Sequence, residues 1–429
     1  MSGQRANLAP EAERILPRRL MEILRSAGEF AAARGWRAYA VGGMVRDLLL
    51  GIPSVDLDIL VEEHGLEFAR QWSASRKGKV KLYRRFATAM VVTRGCKVDI
   101  TTTRGERYPV PGALPEILPG SLEDDLRRRD FTINALAFSI APGDFGDLVD
   151  VCGGLVDLKE KTIRVLHEGS FRDDPTRVFR AVRFQQRLGF SLDPGTEILI
   201  RTAVDEGMFD RVSPERLRRE IELILEEDSP HRAVEAMAGY DELRFIHPRL
   251  RFTPTLLDAL RRLEREEAWH RNLFPGREMS RWRIFFGGLV WELALVDLEA
   301  AVRRFNLADG FRLGLLRGRG LSAELSSGED WSPSRLSVRL DRLPPEVILI
   351  LASRHPAREE MIRRYLAEWR ELRPALDGAA LRALGVPPGP AMGEMLAELR
   401  AARLDGRVAD AAGEEALARN LIDRGSRPC

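Results

Sequence analysis

The stretch Val41-Gly42-Gly43-Met44-Val45-Arg46-Asp47, followed closely by Asp56-Leu57-Asp58, leaves this chain few ways to fold. Arg37-Ala38-Tyr39-Ala40-Val41 reads as a strand running into a Gly-Gly turn. Residues 44–50 then read as a short helix, stopped by Gly51 and Pro53. Residues 55–61 alternate in polarity, so they read as a half-buried strand with Asp56 and Asp58 on one face. A strand–turn–helix–strand unit of this kind needs a sheet to join.

The neighbouring segments supply one. Residues 10–34 have the spacing of one amphipathic helix, with Ile15, Leu20, Ile23, Leu24 and Phe30 on its apolar side. A helix is expected over 66–75 and strands near 79–92 and 97–102. Residues 104–120 hold Pro109, Pro111, Pro115 and Pro119 among glycines and read as a long loop, a feature usually tied to function. Residues 131–140 read as a helix, and 148–166 as strand–turn–strand around Gly153-Gly154. The fold class is therefore α/β in the first part. Beyond about residue 170 the periodicity is helical, over Thr176–Leu188, 214–226, 233–238 and many later segments. The stretches 310–320, 322–345 and 387–390 read as breaks between helices. The expected division is an N-terminal helix (1–34), an α/β head (35–167), a helical neck (168–230) and a helical body and tail (231–429).

At 429 residues the chain is too long for one ordinary core. Its 44% hydrophobic and 31% charged residues exclude a disordered chain. No apolar run approaches the ~20 residues of a membrane helix, so no membrane partner is expected. Residues 1–19 hold Arg5, Glu11, Glu13 and Arg14 and no apolar core of a secretory signal. Cys96, Cys152 and Cys429 have neither disulfide nor metal-ligand spacing. A cytoplasmic location follows as the expectation. The net charge of +2 hides an asymmetry: lysine occurs only at 77, 79, 81, 97, 159 and 161, and the other cations are arginine. Arginine suits phosphate and base stacking. A GC-rich genome would also favour it, so the positions of the arginines must carry the argument.

Two carboxylates on one strand face repel unless a cation lies between them, and Mg2+ takes a few carboxylates plus phosphate oxygens. An acidic solvent face would explain Asp56 and Asp58 alone, but not their place after the Gly-Gly turn. Gly42 and Gly43 bring backbone close to a phosphate at a helix start. Arg46 adds charge there, and Asp47 is expected to brace either Arg46 or the helix start. Asp99, in Lys97-Val98-Asp99-Ile100, is either a third carboxylate of the same site or an ordinary strand residue. Arg127-Arg128-Arg129-Asp130 precedes the expected helix at 131, which Asp130 would cap; Arg128, Arg129, Asp130 and Asn134 are candidates for nucleotide phosphate and ribose. In Asp173-Asp174-Pro175-Thr176-Arg177, Asp174 and Arg177 fall on one helical face, continued by Arg180 and Arg183. That pair could read a base or merely form a helix salt bridge. Ser213-Pro214-Glu215-Arg216-Leu217-Arg218-Arg219-Glu220 reads as a helix brace rather than chemistry. No Walker loop competes, since Gly78-Lys79 lacks the flanking residues. Taken together, these clusters point to nucleotidyl transfer.

In this order they resemble class II tRNA nucleotidyltransferases and the related bacterial poly(A) polymerases, within the DNA polymerase beta superfamily. The matching stretches are Gly42-Gly43-x-x-Arg46-Asp47, Asp56-x-Asp58, Arg128-Arg129-Asp130-Phe131-Thr132-x-Asn134-Ala135 and Asp173-Asp174-x-x-Arg177-x-x-Arg180-Ala181-x-Arg183-Phe184. They cover about residues 35–230. The resemblance implies a polymerase-beta-like mixed-sheet head with helical neck, body and tail. It implies Mg2+ at Asp56 and Asp58, and at Asp99 if that residue joins them. It also implies CTP and ATP selected by Asp174 and Arg177, and the tRNA 3′ end and acceptor arm as partner. Asp173 stands where the family usually has Glu. The loop from Tyr108 to Pro115 lies where the family keeps the mobile element for the last A, which argues against a CC-only enzyme. No His-Asp dipeptide of a fused phosphohydrolase occurs, nor the long basic tail of a poly(A) polymerase. CCA addition is the expected activity, with A addition alone or poly(A) synthesis from ATP as the alternative.

Overall fold

The structure, a computed structural model, describes residues 6–53, 56–277 and 279–425. Arg5, Val55 and Cys429 lie outside the described residues. The chain divides into two compact units. One holds the described residues up to Glu220 together with Gly239–Phe245; the other holds Ile221–Ala238 and the described residues from Ile246 onward.

The first unit begins with α1 (Ala9–Ile15) and α2 (Arg18–Ala32), not with the single helix expected over 10–34. Pro17 separates them: it has no N–H to donate, and it forces Leu16 into an extended conformation (ψ 138°). Then come β1 (Ala38–Val41), α3 (Gly43–Leu49), β2 (Asp58–Val61), α4 (Gly65–Ser75), β3 (Lys79–Tyr83), β4 (Thr88–Thr93), β5 (Cys96–Thr102), β6 (Arg104–Arg107), β7 (Glu116–Pro119), α5 (Leu122–Arg127), β8 (Leu136–Ser139), β9 (Leu148–Asp150), α6 (Gly154–Lys159) and β10 (Thr162–Ile163). Seven strands form one mixed sheet in the order β3-β4-β5-β2-β1-β8-β9. The β2–β5 pair is parallel and sets Asp58 opposite Asp99; the other pairs are antiparallel. Helices α2 and α4 cover one face, where Phe30, Phe68 and Trp72 pack ring against ring. On the other face Tyr39, Val41 and Leu60 pack with Leu126 and Ala137.

Three expectations fail here. Residues 104–120 are not a plain loop: β6 and β7 pair antiparallel, with Arg107 and Glu116 ion-paired across the strands at 2.6 Å. Residues 131–140 are not a helix: one 3-10 turn (Thr132–Asn134) leads into β8, so Asp130 caps no long helix. Leu136, Ala137, Phe138 and Ser139 are buried on both sides, and an apolar run of that length has no period to separate strand from helix. Residues 148–166 gain a helix, α6, between the two expected strands.

The unit continues through α7 (Ser170–Asp173), α8 (Thr176–Leu188), β11 (Ser191–Leu192) and α9 (Pro194–Asp205) into α10 (Pro214–Leu225), whose residues up to Glu220 belong to it. Helix α8 matches the expected span, ended by Gly189 at φ 66°. Later come α11 (Pro230–Gly239), α12 (Pro254–Leu273), α13 (Arg281–Val290), α14 (Leu295–Arg304), α15 (Asp309–Leu325), α16 (Pro333–Leu340), α17 (Pro345–Arg354), α18 (Glu359–Arg364), α19 (Gly378–Ala383), α20 (Pro390–Leu404) and α21 (Ala411–Gly425). In the second unit α17 is buried all round from Val347 to Ser353 and packs against α12, α13 and α15. The glycines of 310–320 are not a break but lie inside α15: a Cβ on Gly314 would meet Pro344 at 2.5 Å, and one on Gly318 would meet Val347 at 2.5 Å. Gly314 and Gly318 are glycine because the start of α17 and the Pro344 before it lie that close. The stretch 322–345 is likewise interrupted by α16, whereas 387–390 does separate α19 from α20. Among the described residues no helix is long and apolar enough to cross a membrane.

Candidate active site

A cleft of about 620 Å3 opens in the first unit. Its floor is the Gly42-Gly43 turn and the start of β2. The Gly42 N–H is committed to the Leu136 carbonyl at 3.0 Å, so what Gly42 contributes is space. A Cβ there would stand 2.8 Å from Arg129 Nη1 and 3.9 Å from Asp58 Oδ2, and its φ of 74° with ψ −136° suits only glycine. The missing side chain lets a guanidinium and a carboxylate approach each other over the turn.

Asp56 and Asp58 both line this cleft. Burial pushes the Asp58 carboxyl up to about 6; Arg129 pulls against this, while Asp99 and Asp56 push with it. Three carboxylates therefore crowd one end of the sheet. Asp99 faces Asp58 across the β2–β5 pair, but its Oδ2 takes Lys97 Nζ at 2.7 Å and it does not line the cleft.

The arginines are held by acids. Arg46 is buried, donating from Nε and Nη2 to Asp47 Oδ1 (2.8 and 2.7 Å) and from Nη1 to Asn134 Oδ1 (2.6 Å). Asp47 thus braces Arg46. Arg128 donates to Asp125 (2.7 Å) and Glu106 (2.8 Å), and Arg129 to the other oxygen of Asp125 (3.2 Å). Asp130 accepts from Arg180 at 2.5 Å and from Asn134 at 3.0 Å. Burial alone would raise its pKa; the Arg180 charge and these hydrogen bonds instead bring it down to about 2. Asp130, in turn, raises Arg180.

Asp174 precedes α8 rather than lying in it. Its Oδ1 accepts from Thr176 N and Oγ1 (3.0 and 2.6 Å) and from Arg216 Nη2 (2.8 Å). Arg177 donates to Ser170 Oγ (2.7 Å) and to the Arg128 carbonyl (2.8 Å). The cleft gathers Gly42, Gly43, Arg46, Asp56, Asp58, Arg128, Arg129, Asp130, Asn134, Asp174, Arg177, Arg180 and Arg183. Asp173 stays outside it, its Oδ2 3.8 Å from His167 Nε2.

Residues 38–164 match a family model described as the poly A polymerase head domain, and 189–252 one described as a probable RNA and SrmB-binding site of polymerase A. An A-adding tRNA nucleotidyltransferase of Geobacter sulfurreducens is 39% identical over 96% of this chain and 48% of its own length. Another of that name, from Halalkalibacterium halodurans, is 32% identical over 90% of this chain and 89% of its own. The Thermotoga maritima CCA-adding enzyme complexed with tRNA superposes with a TM-score of 0.81 at 30% identity, over 97% of this chain and 98% of that one. The chain belongs to the tRNA nucleotidyltransferase family. It spans about half the length of the first two curated relatives it matches. Relatives at this distance carry A-adding, CC-adding and CCA-adding names. The family's reaction is metal-dependent nucleotidyl transfer.

The cleft also includes residues that the motifs did not single out. Glu106, on β6, bonds Arg104, Arg128 and Tyr108. Arg216, Arg219 and Glu220 line the wall from α10, and Arg216 Nη1 donates to the Gly112 carbonyl at 2.7 Å. The segment read as a helix brace is part of the site. The available signal was its i, i+3, i+4 spacing, which places all three on one face.

Proposed function

We propose that this protein adds nucleotides to the 3′ end of tRNA without a nucleic acid template, completing or repairing CCA from CTP and ATP with release of pyrophosphate. The observation that carries this is the pair Asp56 and Asp58 at the floor of an arginine-lined cleft. Burial is what chiefly raises Asp58, with Asp99 and Asp56 adding negative charge beside it, and a cation held there would favour the ionised carboxylate. Mg2+ fits a set of carboxylate oxygens with room for phosphate and water. Asp56 and Asp58 would hold it, and bound there it supplies activation of the terminal hydroxyl and neutralisation of the leaving group.

The chain's own groups do the rest by positioning and electrostatics. Arg129, over Gly42, faces the phosphates next to Asp58, and Asp125 fixes it together with Arg128. Arg46 has three of its N–H groups committed to Asp47 and Asn134, so it stiffens the turn as much as it adds charge. Arg180 and Asp130 neutralise each other and hold Asn134 toward the ribose. Asp174 and Arg177 read the base edge of CTP or ATP. In this reading residues 35–167 are the catalytic head after the N-terminal helical region 1–34, 168–230 the nucleotide-selecting neck, and 231–429 the tRNA-binding body and tail of a cytoplasmic enzyme.

Asp56→Ala and Asp58→Ala are each expected to cut transfer by about a thousandfold or more while the melting temperature holds. Near-normal turnover in either variant would refute the metal assignment. A-addition alone is the second reading, favoured by the A-adding names of the Geobacter and Halalkalibacterium relatives. The choice of nucleotide and RNA separates it from CCA addition and from poly(A) synthesis.

A further inference from the structure

The register of the sheet carries the site face outward. Asp58 pairs with Asp99, Asp99 with Met90, and Met90 with Lys81, so these four residues form one row across β2, β5, β4 and β3. The adjoining rows on that face are Lys79–Val92–Lys97 and Tyr83–Thr88–Thr101. The opposite face is different: Ala89, Val91, Val98 and Ile100 are fully buried under α4. On the outward face Lys79, Lys81, Tyr83, Val92 and Lys97 are exposed. Lys81 Nζ lies 5.2 Å from the centre of the Tyr83 ring. Lys97 is paired with Asp99, whereas no ion pair holds Lys79 or Lys81 among the described residues. Half of the chain's few lysines thus stand on one sheet face that runs straight into the carboxylates.

We infer that this open face of β3, β4 and β5 is the track for the single-stranded RNA 3′ end, gripping the nucleotides upstream of the attacking one. The inference rests on the proposed nucleotidyl transfer and names where its acceptor strand lies. Charge complementarity and continuity with the carboxylate site argue for it. Three strand spacings put Lys81 about 14 Å from Asp58, beyond the reach of the terminal nucleotide that must sit at the carboxylates. Lysine ammonium groups meet successive phosphates, and Tyr83 offers a ring on which an unpaired base stacks. Lysines on an edge strand also deter edge-to-edge pairing. That role accounts for Lys79 and Lys81 but not for Lys97 on an interior strand, nor for an exposed tyrosine beside them.

The test uses the full chain with tRNA lacking its terminal CCA, Mg2+, CTP and ATP. The double variant Lys79→Ser/Lys81→Ser should flatten the dependence of log Kd for RNA on log salt by about 1.4, from ~0.7 for each single-stranded phosphate contact. Tyr83→Ser should weaken RNA binding about tenfold with little change in salt slope. Both should leave the melting temperature and the KM for CTP and ATP as in the wild type. Wild-type RNA affinity and salt slope in both variants would overturn the inference while leaving the proposed function standing. So would a double variant whose only change is self-association in sedimentation, which would make the lysines edge guards. A wild-type protein that extends no RNA would instead defeat the proposed function, and this inference with it.

Discussion

Arg46, Arg128, Arg129 and Arg180 look interchangeable in the sequence, but each has a particular acid as its keeper. Asp47, Asp125 and Asp130 fix the guanidinium groups before any ligand arrives, which lowers the ordering cost of binding. Asp130 makes the energetics testable. Its folded-state pKa of about 2 lies below the ordinary 3.8, so it adds stability above pH 4 that is lost as pH falls toward 2. The shift corresponds to about 2 kcal/mol. Asp130→Asn should therefore lower unfolding free energy by about that much at neutral pH, or more because Arg180 is left unpaired. The gap to the wild type should narrow below pH 4 in denaturant titrations; a gap that persists there would reject the pairing. In the proposed function Arg177 presents the selective edge. Arg177→Ala is expected to loosen the preference between ATP and CTP more than it weakens triphosphate binding, as measured by competition kinetics. An unchanged preference would count against base reading.

At the scale of elements, the Gly-Gly turn was legible from a positive φ only glycine tolerates, and β2 from the polar–apolar alternation of the sequence Val55-Asp56-Leu57-Asp58 that leads into it, although Ile59, Leu60 and Val61 are themselves all buried. Helix α8 was legible from its period and its terminal glycine. Strand β8 was not, because a strand buried on both faces carries no alternation. The β6–β7 hairpin was hidden for another reason: its pairing joins residues that local propensity assigns to a loop. Proximity in space was equally invisible, so Glu106 and Arg216 were missed although Asp58, Arg129 and Asp174 were found. Gly42 ties element to site. Gly42→Ala is expected to cost about 1–3 kcal/mol of stability from backbone strain. By displacing Arg129 it should also lower kcat by about a hundredfold. Thermal unfolding and steady-state kinetics would show both; a fully active, equally stable variant would mean that the turn does not need its open space.

At the scale of the whole molecule, each unit builds its own core: the first around the seven-stranded sheet, the second around α17. The sequence motifs end near residue 230, where the helical body begins to be specified by packing rather than by chemistry. That is why the glycines of α15 read as a break: nothing local reveals that Pro344 and Val347 press against Gly314 and Gly318. The most direct measurement incubates the purified protein with Mg2+ and three RNAs: tRNA lacking CCA, tRNA ending in CC, and an unrelated RNA. CTP and ATP are supplied separately and together, and the products sized on a gel. Three nucleotides added to the first tRNA, with both triphosphates required, is the expected result. A single A on CC-ended tRNA alone, long tails on any RNA, or no extension at all would contradict it.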